Sequence, residues 1–230
     1  MEKEYVRSMF DRIAYRYDLL NHLLSGGIDL LWRRAAIDAL AETKPKRILD
    51  VATGTADLAI ASLRLHPESV VGVDISEEML AIGKRKVEEK GLSNVITLET
   101  GEAEHLRFGD GTFDAAMVAF GARNFEHLTA GLTEMHRVLR PGGTVVVLEF
   151  SKPTAFPFRQ LYFFYFRSVL PAIGRLVSKH REAYQYLPDT VMKFPDGEAF
   201  LNVLDSCGFT RLSRKPMTFG IATIYSGSKR

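Results

Sequence analysis

Acidic residues stand where three apolar segments end in the first half of the chain. Asp50 opens a loop that contains Gly54, Asp74 ends the next apolar segment, and the polar turn Gly101–Glu104 follows a third. Ligands of open α/β sheets bind beyond the carboxyl ends of the strands. At such an edge the Asp74 carboxylate can accept hydrogen bonds from both hydroxyls of a ribose, and the turn could read an adenine. Asp50 would repel phosphate and suit a ligand that carries an ammonium group.

The first loop distinguishes between two nucleotide ligands. A dinucleotide-binding loop has three glycines, so that its backbone can approach a pyrophosphate, and this loop has only Gly54. S-adenosylmethionine has an adenine, a ribose and an amino acid but no phosphate, so it suits the loop better than NAD. Simpler roles remain open: Asp50 as a solubilising charge at a strand end, and Asp74 as an accessory to a helix cap that Ser76 could form alone.

The elements that would position these residues alternate between strands and helices. Apolar patterning predicts strands over 47–52, 70–73, 95–98, 113–120 and 144–150, with helices over 56–65, 77–90 and 125–139 between them. This alternation predicts βαβ units and a doubly wound parallel sheet with both faces covered. A helix over 197–207 and strands near 209–213 and 221–226, connected around Pro216-Met217, predict an antiparallel terminal hairpin.

The chain is predicted to be a single domain, residues 1–230, in four parts. Residues 1–44 form an N-terminal helical cap, with helices over 4–24 and 29–41, and residues 45–150 form the cofactor-binding core. Residues 151–195 form an aromatic helical insert, and residues 196–230 form the terminal helix and hairpin. The expected fold class is therefore α/β, with a seven-stranded, mainly parallel sheet.

Composition excludes several other classes of protein. The 230 residues are 46% hydrophobic and 25% charged, with a net charge of +2, which argues against disorder and gives no general reason to expect nucleic-acid binding. The single cysteine, Cys207, excludes an intramolecular disulfide, and the scattered histidines give no metal site. No apolar segment approaches the roughly 20 residues that span a bilayer. The charged N-terminus predicts no signal peptide, so we expect a cytoplasmic protein.

Three longer motifs identify a family resemblance. The segments are Tyr17-Asp18-Leu19-Leu20-Asn21 with Ser25 and Trp32, Phe120-Gly121-Ala122-Arg123-Asn124, and Arg137-Val138-Leu139-Arg140-Pro141-Gly142-Gly143 continuing to Glu149-Phe150-Ser151-Lys152-Pro153. They resemble the signatures of the ubiquinone/menaquinone biosynthesis C-methyltransferases, within the class I S-adenosylmethionine-dependent methyltransferases. The resemblance covers nearly the whole chain.

The resemblance implies a cofactor and a reaction. The cofactor would be S-adenosyl-L-methionine, with contacts at Thr55, at Asp74 on the ribose and at Glu102-Ala103 on the adenine. With neighbouring positions, the candidate cofactor residues are Asp50, Gly54, Thr55, Asp74, Ile75, Glu102, Ala103 and Ala119. The reaction would transfer a methyl group to a ring carbon of a demethylated polyprenyl quinol. Demethylmenaquinol is the favoured substrate, and the benzoquinol precursor of ubiquinone is the alternative.

The chain departs from the family pattern at four positions. Asp29 stands where histidine is common, and Ala119 stands where serine is common. Thr53 and Ala56 stand where glycine is common, so the cofactor loop is less permissive there. The carboxylates are retained, and we expect cofactor binding to be retained with them.

Methylation at carbon requires an activated ring. A quinol carbon becomes nucleophilic when a ring hydroxyl loses its proton, which requires a base and a positive group beside the resulting anion. Asp57, Tyr17 and His22 are candidate proton acceptors, and Arg123 is the candidate anion stabiliser. For Arg123 the alternative is an ordinary salt bridge, and for His22 it is a packed or solvated residue.

The insert suggests contact with lipid. Its first half contains seven aromatic residues: Phe156, Phe158, Tyr162, Phe163, Phe164, Tyr165 and Phe166. Residues 151–195 carry seven basic and two acidic side chains, a combination that suits an apolar tail and an anionic bilayer surface. We therefore expect a hydrophobic channel and transient contact at the inner face of the cytoplasmic membrane. The alternative is that the rings pack the insert onto the core. A homodimer is also left open.

Other functions compete with this one. A nicotinamide-dependent oxidoreductase is disfavoured by the missing glycines, and a methyltransferase acting on RNA or protein by the lack of a basic tract outside the insert. A non-enzymatic subunit of a quinone-synthesis complex is the third alternative.

Overall fold

A computed structural model describes residues 3–164 and 181–230, and in it seven strands form one sheet. The strands are β1 (Arg47–Val51), β2 (Ser69–Asp74), β3 (Ile96–Thr100), β4 (Phe113–Ala119), β5 (Leu139–Phe150), β6 (Thr210–Met217) and β7 (Ala222–Ser228). Their order is β3-β2-β1-β4-β5-β7-β6. The first five strands pair in parallel, and β7 runs antiparallel to both β5 and β6. This confirms the predicted fold class.

Helices cover both faces of the sheet. They are α1 (Lys3–Ser25), α2 (Ile28–Asp38), α3 (Asp57–Ser62), α4 (Glu77–Glu89), α5 (Leu128–Val138), α6 (Phe158–Phe164), α7 (Arg181–Lys193) and α8 (Glu198–Ser206). On one face, α5 and α8 pack their apolar residues against the sheet. On the other face, α2, α3 and α4 do the same. Two buried faces explain why the central strands are apolar at nearly every position.

The β1–β4 centre of the sheet sets the position of the site. The chain reverses direction across the sheet here, because β2 and β3 lie on one side of β1 while β4 and β5 lie on the other. Loops that leave neighbouring strands in opposite directions open a crevice at the carboxyl edge. The predicted ligand residues follow β1, β2, β3 and β4 at this edge.

Two predicted boundaries were wrong, the start of β5 and the position of the hairpin turn. Strand β5 begins at Leu139, which is buried and pairs with Phe113, and not after the glycines at 142–143. The hairpin turn lies at 218–221, because Pro216 continues β6 and pairs with Thr223. Proline is tolerated there since β6 is an edge strand that needs no outward N–H donor.

The N-terminal helix α1 lies against α4. One contact at the start of α4 is polar, since the Ser76 hydroxyl donates to Asp11 Oδ1 at 2.6 Å. In the described part of the insert, α6 follows β5 and α7 precedes α8. The predicted aromatics Tyr165 and Phe166 lie outside the described residues. Among those that are described, the helices are all too short or too polar to cross a bilayer.

Candidate functional site

A cavity lies over the carboxyl ends of the central strands, beneath α1. Its empty volume is about 710 Å³, including space open to solvent, which is within the ~300–1,000 Å³ typical of small-molecule sites. The lining residues come from α1, from the first turn of α4, and from the last residues of β2 and β4 with the loops after β1 to β4: Lys3, Val6, Phe10, Ala52, Gly54, Asp74, Ile75, Met79, Gly101, Ala103, Glu104, Ala119, Phe120, Gly121, Asn124, Phe125 and Glu126. The cavity therefore occupies the predicted crevice.

Asp74 is the anchoring carboxylate of this cavity. Its Oδ2 accepts the Gly54 N–H at 2.8 Å and its Oδ1 accepts the Ser76 N–H at 2.9 Å. Burial raises the pKa of Asp74, while these backbone donors oppose that shift. Ser76 separately caps α4 by accepting the Met79 N–H, so the cap does not depend on Asp74. Asp74 ties the β1 and β2 loops together and presents a carboxylate to the cavity.

The backbone around the cavity is held in unusual conformations. Ala52, Ala56 and Phe120 have positive φ angles of 54°, 67° and 58°, which are strained for residues other than glycine. Ala56 is one of the positions where the family commonly has glycine, so this chain keeps the left-handed backbone at an energetic cost. At Gly121 a Cβ would lie 2.6 Å from the Ala52 Cβ. The loops after β1 and β4 thus approach more closely than a side chain permits.

The charges in the lining indicate the kind of ligand. Asp74, Glu104 and Glu126 line the cavity together with one cation, Lys3, and Lys3 is itself ion-paired with Glu102. A surplus of carboxylates repels phosphate and attracts a positive charge. The residues present therefore fit a nucleoside that has ribose hydroxyls and a sulfonium but no phosphate, as S-adenosylmethionine does.

Five of the eight predicted cofactor residues line the cavity: Gly54, Asp74, Ile75, Ala103 and Ala119. Thr55 does not line it; it is buried and accepts a hydrogen bond from Lys86 Nζ at 3.1 Å. Glu102 also lies outside the lining, and its contact with Lys3 lowers its pKa. Glu104, two residues later, lines the cavity instead.

Asp50 is buried but lies outside the cavity lining. It accepts a 2.6 Å hydrogen bond from the Thr53 hydroxyl, while its Oδ1 has no hydrogen-bond partner among the described residues. Burial raises its pKa to about 7, and the charge of Arg33 only partly opposes this. The structure thus gives Asp50 a contact with Thr53 and no place in the cavity lining, and its contact with a ligand ammonium group stays a prediction.

Replacing Asp50 with asparagine is expected to stabilise the protein above pH 7. An acid whose native pKa of about 7 exceeds its unfolded value of 3.8 binds more protons when folded, so the free energy of unfolding falls between these two pH values as pH rises. Asparagine avoids this loss and still accepts the Thr53 hydroxyl. The gain should reach at most about 4 kcal/mol.

Urea denaturation of both proteins at pH 8 and at pH 5 measures this effect. The variant should be more stable at pH 8, with a smaller difference at pH 5. Lower stability of the variant at pH 8 would mean that Arg33 compensates the Asp50 charge in full.

Of the three candidate proton acceptors, only Asp57 has a described side chain. Asp57 lies outside the cavity lining and forms a 2.6 Å ion pair with Lys86, and its role as a base stays a prediction. Tyr17 and His22 lie in α1, but their side chains lie outside the described part of the chain. Both remain predictions.

Arg123 lies beside the cavity in a buried ion pair. Its Nη1 donates to Glu149 Oε1 at 2.8 Å and to the Phe120 carbonyl, and its backbone N–H donates to Glu149 Oε2. The guanidinium lies over the Phe150 ring, 5.4 Å from its centroid. Its Nε is buried and has no hydrogen-bond partner among the described residues. A buried guanidinium with an unused N–H is a ready donor for an oxyanion.

Sequence reasoning missed several side chains around Arg123. Glu149 lies in a quoted motif without an assigned role. Burial raises the pKa of Tyr162, which lies near enough to Arg123 for that charge to oppose the shift. The Tyr186 hydroxyl donates to Asn124 Oδ1 at 2.8 Å. Only the motif around Glu149 offered a signal, because Tyr162 and Tyr186 come from the insert, whose packing the pattern does not define.

Comparisons with known proteins agree with this geometry. The chain is 48% identical over 229 residues to the demethylmenaquinone methyltransferase of Bacteroides fragilis, covering 99% of this chain and 94% of the relative. It is 49% identical over 228 residues to the ubiquinone/menaquinone biosynthesis C-methyltransferase UbiE of a Geobacter species, covering 98% and 97%.

A solved structure shows the same fold. A methyltransferase from Thermotoga maritima, described as S-adenosylmethionine-dependent and as a possible histamine N-methyltransferase, superposes with a TM-score of 0.67 at 18% identity, covering 97% of this chain and 99% of the other. The profile of one family also matches residues 1–229. The chain therefore belongs to the ubiE/COQ5 methyltransferase family.

Proposed function

We propose that this protein methylates demethylmenaquinol at a ring carbon, with S-adenosylmethionine as the methyl donor. Membership of its family makes the chain an S-adenosylmethionine-dependent C-methyltransferase of quinone biosynthesis. The observation that carries the proposal is the pairing of an acidic cavity anchored by Asp74 with an adjacent buried guanidinium, Arg123. One part suits a cationic nucleoside, and the other suits the anion of a quinol.

The cofactor residues hold and orient the donor. Asp74 lines the cavity and is the proposed acceptor for the ribose hydroxyls, and Ala103 and Glu104 follow β3, where the adenine would lie. When bound, S-adenosylmethionine supplies an electrophilic methyl group. The strained loops at Ala52 and Phe120 bring the β1 and β4 backbones close together, so the donor and the acceptor carbon can be held in line.

The ring is activated beside Arg123. Removal of a proton from a quinol hydroxyl raises the electron density at the neighbouring ring carbon. The Arg123 Nε–H, which has no hydrogen-bond partner among the described residues, is the proposed donor to the resulting oxyanion. Glu149 holds the guanidinium in place through Nη1 and the backbone. Tyr17 remains a candidate proton acceptor. Burial among Phe150 and Tyr162 reduces screening by water, which strengthens the charge interaction.

The family name leaves two quinols as substrates, and the naphthoquinol is supported better. The Bacteroides fragilis relative is named for demethylmenaquinone alone. The polyprenyl tail requires an apolar path, and the aromatic insert supports one together with transient contact at the membrane surface. We also propose that the protein is cytoplasmic and that it can form a homodimer. Its single domain is proposed to have four parts, residues 1–44, 45–150, 151–195 and 196–230.

The function is tested with a methyl-labelled donor and two acceptors. Purified protein is incubated with labelled S-adenosylmethionine and either demethylmenaquinol or the demethylated benzoquinol, and the extracted lipid is counted. Label should enter the naphthoquinol, and added S-adenosylhomocysteine should suppress it. Label only in the benzoquinol would reverse the substrate assignment. Label in neither would leave a non-enzymatic subunit as the better interpretation.

A further inference from the structure

Helix α7 brings one side chain of the insert to the candidate site. Tyr186 is 9% exposed, and its hydroxyl donates to Asn124 Oδ1 at 2.8 Å. The chain is anchored just beyond this point, because Val191 and Phe194 are buried and the Phe194 ring packs on Phe200 of α8 at a centroid distance of 5.1 Å. Tyr186 therefore reaches the site from a helix whose C-terminal end is fixed to the core.

The Tyr186 hydroxyl belongs to a chain of hydrogen bonds that ends at Arg123. Asn124 Nδ2 lies 3.5 Å from the Phe120 carbonyl oxygen, and the same oxygen accepts from Arg123 Nη1. Since a carbonyl oxygen can only accept, the amide nitrogen of Asn124 faces Phe120. The amide oxygen is then the atom that accepts from Tyr186. The Asn124 amide is thus held at its nitrogen by Phe120 and at its oxygen by Tyr186.

The orientation of this amide affects the site because Asn124 lines the cavity and follows Arg123 in the chain. An amide nitrogen carries two N–H groups. Phe120 accepts from one of them, and the other has no partner among the described residues. A quinol anion is stabilised by donors that point at its oxygen. A reversed amide would instead present its own oxygen, which repels the oxygen of the quinol.

The Tyr186 ring makes separate contacts with α1. Its centroid lies 6.4 Å from the Phe10 ring, in an edge-on arrangement at 88°, and 6.4 Å from the Tyr5 ring. Phe10 lines the cavity. These contacts involve the ring and not the hydroxyl, so a phenylalanine at position 186 would keep them. The hydroxyl can therefore be removed without loss of the contacts with α1.

We propose that Tyr186 is a positioning residue for the quinol, because its hydroxyl holds the Asn124 amide with one N–H available to a ring oxygen beside Arg123. This inference rests on the proposed function, since it assigns a second donor to the same quinol. Arg123 would supply a charged donor and Asn124 a neutral one. The direction of the neutral donor is set by a residue of the insert, so the insert contributes to recognition of the ring.

The variant Tyr186→Phe tests this role with a tail-less, water-soluble naphthoquinol as the acceptor. The KM for the naphthoquinol should rise about five- to tenfold, the effect of one hydrogen bond, with kcat nearly unchanged. Affinity for S-adenosylhomocysteine, measured by calorimetry, should stay nearly unchanged because the ring contacts with α1 remain. A variant that only folded less completely would contain less active enzyme, which lowers kcat and leaves KM unchanged.

Tyr225→Phe is the matched control for loss of a buried tyrosine hydroxyl. Tyr225 is fully buried, its hydroxyl accepts the Gly197 N–H at 2.8 Å, and it lies outside the cavity lining. Its loss should leave the KM for the naphthoquinol unchanged. An equal rise in KM in the Tyr186 and Tyr225 variants would overturn the proposal, as would an unchanged KM in Tyr186→Phe.

A double-mutant cycle shows whether the hydroxyl acts through Asn124. Asn124→Ala should itself raise the KM for the naphthoquinol. Addition of Tyr186→Phe to this variant should then have little further effect, because the amide that the hydroxyl positions is absent. Effects of the two substitutions that multiply independently would show that the hydroxyl acts by another route, and would overturn the proposal.

Failure of the proposed function can be recognised separately. If the parent does not methylate the naphthoquinol, that function fails, and binding of the naphthoquinol to the protein saturated with S-adenosylhomocysteine then tests Tyr186 by calorimetry. Affinity should fall about five- to tenfold in Tyr186→Phe and stay unchanged in Tyr225→Phe. A parent that does not bind the naphthoquinol, or a Tyr186 variant that binds it like the parent, would overturn the inference.

Discussion

Replacing Arg123 with alanine is expected to lower turnover by about tenfold or more and to leave cofactor affinity nearly unchanged. The guanidinium contacts Glu149, Phe120 and Phe150 and does not line the cofactor cavity. Its loss removes the donor for the quinol oxyanion. It also leaves Glu149 as a fully buried carboxylate without its partner, so the free energy of unfolding should fall by about 3–5 kcal/mol.

A double variant distinguishes the effect of Arg123 on turnover from its effect on stability. In Arg123→Met with Glu149→Gln both buried charges are removed, and the glutamine oxygen still accepts one backbone N–H. Stability should largely return, because uncharged residues can replace a buried ion pair with little penalty, but turnover should stay low. Turnover is measured under saturating cofactor and stability by urea denaturation. Recovery of turnover in the double variant would exclude Arg123 from the chemistry.

Replacing Asp74 with asparagine is expected to weaken binding of S-adenosylmethionine by about ten- to a hundredfold, the value of one charge-assisted hydrogen bond. The asparagine side chain would also leave one of the two N–H donors, from Gly54 or Ser76, without a carboxylate oxygen. Since burial raises the pKa of Asp74, affinity of the parent should decline on acidification at a higher pH than for an exposed aspartate. Calorimetry with S-adenosylmethionine and with its demethylated product measures both effects.

Asp50→Asn is the matched control for this experiment. Asp50 is the second-last residue of β1 and Asp74 is the last residue of the neighbouring β2. Both have raised pKa values, but only Asp74 lines the cavity. The Asp50 variant should bind the donor like the parent. Equal losses in the two variants would show that the two carboxylates act together on the ligand.

Asp74 lines the cavity and Asp50 does not, and this difference shows a limit of predicting site residues from the sequence. Side chains alternate along a strand, so Asp50 shares the face of Ile48 while Leu49 and Val51 point to the other. Both faces of β1 are buried, so the apolar pattern does not tell which face meets a given helix. The sequence predicts where the strands end, but it does not predict to which face of the sheet the Asp50 side chain points.

The Arg123–Glu149 pair escaped prediction for a related reason. The residues are 26 positions apart and meet only because β4 and β5 align Ala119 with Leu148. A register shift of one residue would turn Glu149 to the opposite face. The left-handed backbone at Ala56 was indicated only by the family resemblance, in which glycine is common at this position, because alanine itself gives no sign of that conformation.

Helix α1 covers part of the cavity, and this has a consequence for the rate of product release. Lys3, Val6 and Phe10 close the cavity from above, and Asp11 and Lys3 bind Ser76 and Glu102 beneath them. Each catalytic cycle must exchange a spent nucleoside for a fresh one, and we expect this exchange to be faster when the contacts of α1 with Ser76 and Glu102 open. Because Lys3 and Glu102 are partly solvated, added salt weakens their attraction. Product release should therefore become faster as the ionic strength rises.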